Sequence, residues 1–133
     1  MPNLPEHLIK FLDQKTFAHL ATVMADGSPQ VSPVWIDHAD GYIQVNSAKG
    51  RVKDVNMRRE PNVAISMVDP DDSYNFTSIK GKVVEITEDG ADDHIDALAF
   101  KYMGVESYPF RSETETRVTY KIEVQQIAGK NVG

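Results

Sequence analysis

Apolar residues recur along this chain in two rhythms, one near every second position and one near every third or fourth. Leu8, Phe11 and Leu12 fall on one face of a helix over 5–14, where Pro5 suits the first turn. FAHLATVM, 17–24, reads as a strand followed by the turn pair Asp26-Gly27. QVSPVWIDH, 30–38, reads as a second strand. Pro33 cannot donate to a ladder, so it predicts an edge, a bulge or a ligand-facing break there. After Asp40-Gly41, YIQVN is a third strand. Val52, Val55 and Met57 pattern a short amphipathic helix that ends before Pro61. NVAISMV, 62–68, has few polar positions and reads as an interior strand. A loop over 70–73 leads to a long strand, FTSIKGKVVEIT, 76–87, with Gly81 at a bulge or bend. ADDHIDALAFKYMG, 91–104, is a helix with acids in its first turn and a stripe of Ile95, Leu98, Ala99 and Tyr102, stopped at Gly104. RVTYKIEV, 117–124, alternates and is the last strand.

Six strands joined mostly by short turns, with three short helices, predict a mainly β fold: a small six-stranded antiparallel barrel with helices over its openings and seams. A barrel of this size has little interior room. A cofactor is therefore expected on its outside, which favours a second subunit to cover it. The 133 residues suit one domain over 1–133. No apolar run approaches the ~18–20 residues that span a bilayer, and the N-terminus lacks the basic and apolar regions of a secretory signal. With no Cys there are no disulfides or thiolate metal sites, which fits a cytoplasmic location. The net charge of −6 argues against a general nucleic-acid grip.

Charge changes the picture at one place. NSAKGRVKDVNMRREP, 46–61, holds five of the fourteen Lys and Arg residues, with a local balance of +4 between Lys49 and Arg59. Ser47, Arg51 and Lys53, with free N–H groups at the helix start, offer the donors of a phosphate-sized anion site. A solvated basic helix face accounts for the same charges equally well. In VSPVW, 31–35, backbone groups freed by Pro33 beside Trp35 could hold a planar heterocycle; a buried core Trp is the plainer alternative. The four His residues form no metal-binding spacing, and His38 beside Asp37 is a weak signal. The acids between Glu85 and Asp96 lack the spacing of a calcium loop. No nucleotide-binding or hydrolase motif is present.

Taken in order, FAHLATVMADGSPQVSPVWID, NSAKGRVKDVNMRREPNVAISMVDP, YNFTSIKGKVVEI, KYMG and TRVTYKIEV resemble the split β-barrel flavin- and deazaflavin-binding family. This superfamily includes pyridoxamine 5′-phosphate oxidase, and the similarity is to its small branch using coenzyme F420. The resemblance covers about residues 5–125. It implies that Ser47, Arg51 and Lys53, with Asn56 on the adjoining helix, contact the cofactor phosphate. It implies that Gln30, Val31, Ser32, Pro33, Val34 and Trp35 run beside the cofactor ring, and that Tyr74 with Phe76 reaches toward the cofactor across a homodimer interface. The activity implied is an oxidoreductase that moves hydride from reduced F420 to a conjugated or unsaturated small molecule. The alternatives are an FMN-binding oxidoreductase of the same fold and a non-catalytic flavin or F420 carrier or sensor. The hydride comes from the cofactor, so no catalytic acid–base pair is required of the protein. Neither a metal, a nucleic acid nor a membrane is an expected partner. Pyridoxamine phosphate oxidases are longer and bind substrate phosphate near the C-terminus, so vitamin B6 chemistry is not expected.

Overall fold

The strand signals fold as strands. The computed structural model, which describes residues 4–129, joins them in one antiparallel sheet. In chain order the elements are α1 (Glu6–Asp13), β1 (Ala18–Val23), β2 (Pro29–Val34), β3 (Asp37–Ala39), β4 (Tyr42–Ala48) and α2 (Val52–Arg59). They continue with β5 (Asn62–Asp69), β6 (Asp72–Thr87), α3 (Ala91–Met103) and β7 (Arg117–Gly129). The spatial order is β2-β1-β5-β6-β7-β4-β3. The class is the expected one, but among the described residues there are seven strands rather than six, and no hydrogen bonds close the sheet.

The extra strand comes from the segment 30–38, expected as one strand. It breaks at Trp35 and Ile36 into β2 and β3, which form opposite edges of the sheet. So short a link reaches only about 10 Å at ~3.3–3.6 Å per residue. The sheet must curl until its edges nearly meet, giving a barrel drawn together at one corner and unpaired along the seam. Pro33 sits on the edge strand β2, where one side of the backbone needs no partner strand.

Helix α3 seals this corner. The Tyr102 hydroxyl accepts the Ile36 N–H at 3.2 Å and donates to the Thr16 carbonyl at 2.8 Å. The Lys101 ammonium donates to the carbonyls of Ile36, at 2.6 Å, and Leu12. Burial lowers the Lys101 pKa, with Asp37 and Asp13 opposing, and burial pushes the Tyr102 hydroxyl up to about 12. The break in the strand thus leaves backbone groups that two side chains satisfy.

Strand β6 begins at Asp72, so Pro70 and Asp71 alone form a tight hairpin turn in place of a loop over 70–73, and β7 continues past Val124 to Gly129. The β6–β7 register shifts between Lys80 and Gly81, as the glycine predicted. A Cβ on Gly81 would stand 2.6 Å from Ile122 Cγ2 and 3.1 Å from the Glu123 carbonyl oxygen. Gly81→Ala is therefore expected to cost about 1–3 kcal/mol through overpacking. Urea denaturation checks this; an unchanged midpoint would mean that the bend is not closely packed.

Leu20, Ile43, Ile65, Met67, Ile79, Tyr120 and Ile122 fill the interior with Leu8, Phe11 and Leu12 of α1, so ligands are left the outside. Helix α2 departs from its expected face. Val52 and Val55 are exposed, and the buried residues are Asp54, Asn56 and Met57. The reason is hydrogen bonding. Asp54 accepts from the Gly50 N–H (2.8 Å), the Tyr120 hydroxyl (2.5 Å) and Arg58 Nε (3.0 Å). Asn56 donates to Thr22 Oγ1 at 3.0 Å. A helix tethered by polar bonds escapes the apolar periodicity that marks one held by packing.

Candidate functional site: a cationic and aromatic cleft

The end of β2, the end of β4, the start of α2 and the start of β7 converge under α3. A cleft of about 210 Å³ lies between them. One wall is aromatic. Trp35 stacks on Tyr102 with ring centroids 5.3 Å apart and planes inclined by 6°. Tyr108 meets the Trp35 edge at 6.1 Å, and Phe110 meets Tyr108 at 5.7 Å. Phe17, Pro33, Val34, Ile95 and Leu98 complete the apolar lining.

The other wall is cationic: Arg51 at the N-cap of α2, Lys53 in its first turn and Arg117 at the start of β7. Arg51 and Lys53 meet here across a helix start, not along an extended run, because Gly50 turns the chain at φ +92°. Arg117 is buried; its Nε donates to Asn46 Oδ1 at 2.8 Å and its guanidinium lies 5.2 Å from the Tyr108 ring centre. Glu115 joins Arg51 (3.0 Å) to Arg117 (2.6 Å). Among the described residues Lys53 makes no ion pair, and burial, then Arg51 and Arg117, hold its pKa below the ordinary lysine value. The Ser47 hydroxyl is buried at this wall with no hydrogen-bond partner among the described residues.

A buried hydroxyl without a partner and a half-buried ammonium without a counter-ion are both costly unless something anionic completes them. A phosphate does so, with the hydroxyl, the ammonium and the guanidinium forks as donors. Beside it, the indole and the β2 edge offer a planar surface and backbone groups that no strand occupies. The residues therefore fit a ligand with a flat ring and a phosphate, such as a flavin or deazaflavin nucleotide.

Of the residues named from the sequence, the structure brings Pro33, Val34, Trp35, Ser47, Arg51 and Lys53 to one cleft. The others lie elsewhere in this chain. Gln30 bonds Thr22, Val31 faces solvent, and the Ser32 hydroxyl, outside the cleft lining, is buried with no hydrogen-bond partner among the described residues. Asn56 points at Thr22 and Met24, tying α2 to β1. Tyr74 is 77% exposed near the β5–β6 hairpin. The basic segment is divided too: Lys49 pairs with Glu88, Arg58 with Asp54, and Arg59 bonds Val23 and Asn56.

Sequence reasoning passed over Arg117, Asn46, Tyr108 and Phe110. No local pattern marks Arg117, because it opens an ordinary alternating strand. Its partner Asn46 becomes visible only once β7 pairs with β4, and its near neighbour Glu115 gains meaning only when Arg51 reaches the same carboxylate. His38, beside Asp37 in sequence, bonds Asp13, while Asp37 bonds His94 at 2.9 Å, since neighbouring strand residues face opposite sides.

A profile of the family described as pyridoxamine 5′-phosphate oxidase matches residues 4–131. Among solved structures, one described as an F420 reductase is 28% identical, with a TM-score of 0.83, covering 94% of this chain and 98% of that one. A conserved hypothetical protein of Mycobacterium tuberculosis is 22% identical, with a TM-score of 0.71, covering 93% and 82%. HupZ of Group A Streptococcus is 21% identical, with a TM-score of 0.67, covering 98% and 99%. The last two support the fold alone.

Proposed function

This chain belongs to the pyridoxamine 5′-phosphate oxidase family, and from that premise we propose that it is an oxidoreductase using reduced coenzyme F420 to reduce a conjugated or unsaturated small molecule. The observation that carries the reading is the pairing, in one cleft, of the Trp35 face with Lys53 and a buried Ser47 hydroxyl that has no hydrogen-bond partner among the described residues. The likeness to a structure described as an F420 reductase supports the deazaflavin over FMN.

In this reading Ser47, Arg51, Lys53 and Arg117 hold the cofactor phosphate, and Pro33, Val34 and Trp35 lie beside the ring. Phe17, Tyr108 and Phe110 keep water from the ring. When bound, the deazaflavin supplies the hydride, and the chain supplies binding, orientation and a dry surface. The Tyr102 hydroxyl is committed to Thr16 and Ile36 and raised to about 12, so it is a support for the wall and not a proton source.

The reading includes a homodimer. A cleft of about 210 Å³ is small beside the ~300–1,000 Å³ of enclosed ligand sites, so one chain gives only part of an enclosure. Tyr74, Phe76 and Val68 leave apolar surface exposed near the β5–β6 hairpin, available to a second copy. FMN is the competing cofactor, because the same cations and hydroxyl suit its phosphate.

Fluorescence titration with F420 and FMN, run beside sedimentation of the same samples, tests the proposal. Micromolar F420 binding by a dimer, with weaker FMN binding, is the expected result. Purified protein that is yellow with bound FMN would reject the deazaflavin preference. A stable monomer that still binds cofactor would reject the shared cleft.

A further inference from the structure

We propose that Glu115 is a specificity-determining residue: a resident carboxylate that competes for two of the cleft's three cations and so sets the charge of the ligand the cleft accepts. This rests on the anion-binding reading of the cleft. The two Glu115 oxygens are divided between two guanidiniums, Oε2 with Arg51 at 3.0 Å and Oε1 with Arg117 at 2.6 Å. Glu115 does not itself line the cleft, while both arginines do. It therefore draws donors away from the position a bound anion would take.

The carboxylate is delivered by a fixed backbone. The Glu115 N–H donates to the Ser112 carbonyl at 3.2 Å, and the next carbonyl, of Thr116, accepts from the Lys49 N–H at 2.8 Å. The guanidiniums differ in freedom. Arg117 is buried and keeps Asn46 on its Nε, so it stays in place without Glu115. Arg51 is half-exposed at the head of α2, and its only described carboxylate partner is Glu115. A buried Arg117 needs a counter-charge when no ligand is present. Glu115 supplies it, and a ligand phosphate then shares or takes over those donors.

Charge follows from the same geometry. Arg51, Lys53 and Arg117 against Glu115 leave a formal excess of two positive charges: the phosphate monoester of FMN would balance both, and the phosphodiester of F420 one. Hydrogen bonding from Arg117, against burial and with help from both arginine charges, holds the Glu115 carboxyl below the ordinary glutamate range. It is ionised at neutral pH, so ligand binding rather than mild acid would release the arginines.

The test is titration of wild type, Glu115→Gln and Lys53→Ala with FMN and F420, with riboflavin as the ring lacking a phosphate. Glu115→Gln keeps the side-chain size and removes the charge. It is expected to tighten binding of the phosphate-bearing ligands on the order of tenfold at low salt, with riboflavin unchanged. The gain should shrink as salt approaches ~1 M. Glu115→Asp, which keeps the charge on a shorter stem, should give a smaller gain and serves if Glu115→Gln folds poorly. Unchanged or weaker binding of FMN and F420 by both variants overturns the proposal. Wild type that binds FMN and F420 no better than riboflavin, with Lys53→Ala indifferent, overturns the anion-site reading and this inference with it.

Discussion

Asp54→Ala is expected to destabilise the fold by about 2–4 kcal/mol, the cost of leaving the buried Tyr120 hydroxyl without its acceptor (about 1–3 kcal/mol) together with the lost bonds from the Gly50 N–H and Arg58. Asp54 is 1% exposed and accepts from three groups on three parts of the chain. The Gly50 N–H bond shapes the turn into α2, Arg58 holds the next helical turn, and Tyr120 fastens the helix to β7. Alanine would strand the Tyr120 hydroxyl, which is fully buried, and free the Gly50 turn that presents Arg51. Urea denaturation followed by circular dichroism measures the loss. A loss below ~1 kcal/mol would mean that α2 is held by packing after all.

The pH dependence has a definite sign. Burial raises the Asp54 carboxyl, but the Gly50, Tyr120 and Arg58 hydrogen bonds outweigh it and bring it below the ordinary 3.8. A depressed carboxylate stabilises the fold fully above its unfolded pKa, and the contribution is lost as pH falls through the lower folded value. Wild type should therefore lose stability in that acidic window. Asp54→Asn, which cannot titrate, should lack that part of the fall while being less stable at neutral pH.

Replacing Arg51 and Lys53 together by Ala is expected to weaken cofactor binding by ~10²–10⁴-fold, at about 1.5–3 kcal/mol for each charge-assisted contact. Lys53 should account for the larger share. It is half-buried with no ion pair among the described residues, whereas Arg51 is shared with Glu115. Neither side chain holds the core, so melting of the unliganded protein should move little. Arg117→Ala is a poorer probe, because it would also strand Asn46 Oδ1 and leave Glu115 with Arg51 alone. The measurement is F420 or FMN fluorescence titration at fixed ionic strength. Parental affinity in the double variant would exclude this wall as the phosphate site.

Much of the fold was legible because most of its strands are half-buried. Alternation marked β7, runs poor in polar residues marked β1 and β5, and Gly81 marked the bend in β6. The break at Trp35–Ile36 was less legible: Pro33 signalled a disturbance, but the groups that stabilise the break, Lys101 and Tyr102, lie more than sixty residues away. The face of α2 was misread for a related reason. Periodicity measures apolar packing, and Asp54 and Asn56 are inward because of partners on other strands. The cation cluster was half legible. Ser47, Arg51 and Lys53 crowd one short segment whose charge contrasts with an acidic chain, while Arg117 arrives from seventy residues downstream with no local contrast.

By itself the sequence determined the local rhythm: which segments pair as strands, where turns fall, and which stretch concentrates positive charge. These depend on side-chain alternation, glycine and proline geometry, and neighbouring charges, all short-range properties of the chain. Only the tertiary structure decided that one strand is two, that α2 turns a polar face inward, and that Arg117 and Glu115 complete the wall begun by Ser47, Arg51 and Lys53. Those features are hydrogen bonds and charge contacts between distant segments, and they acquire their energy only after the sheet has curled and excluded water from the groups it brings together.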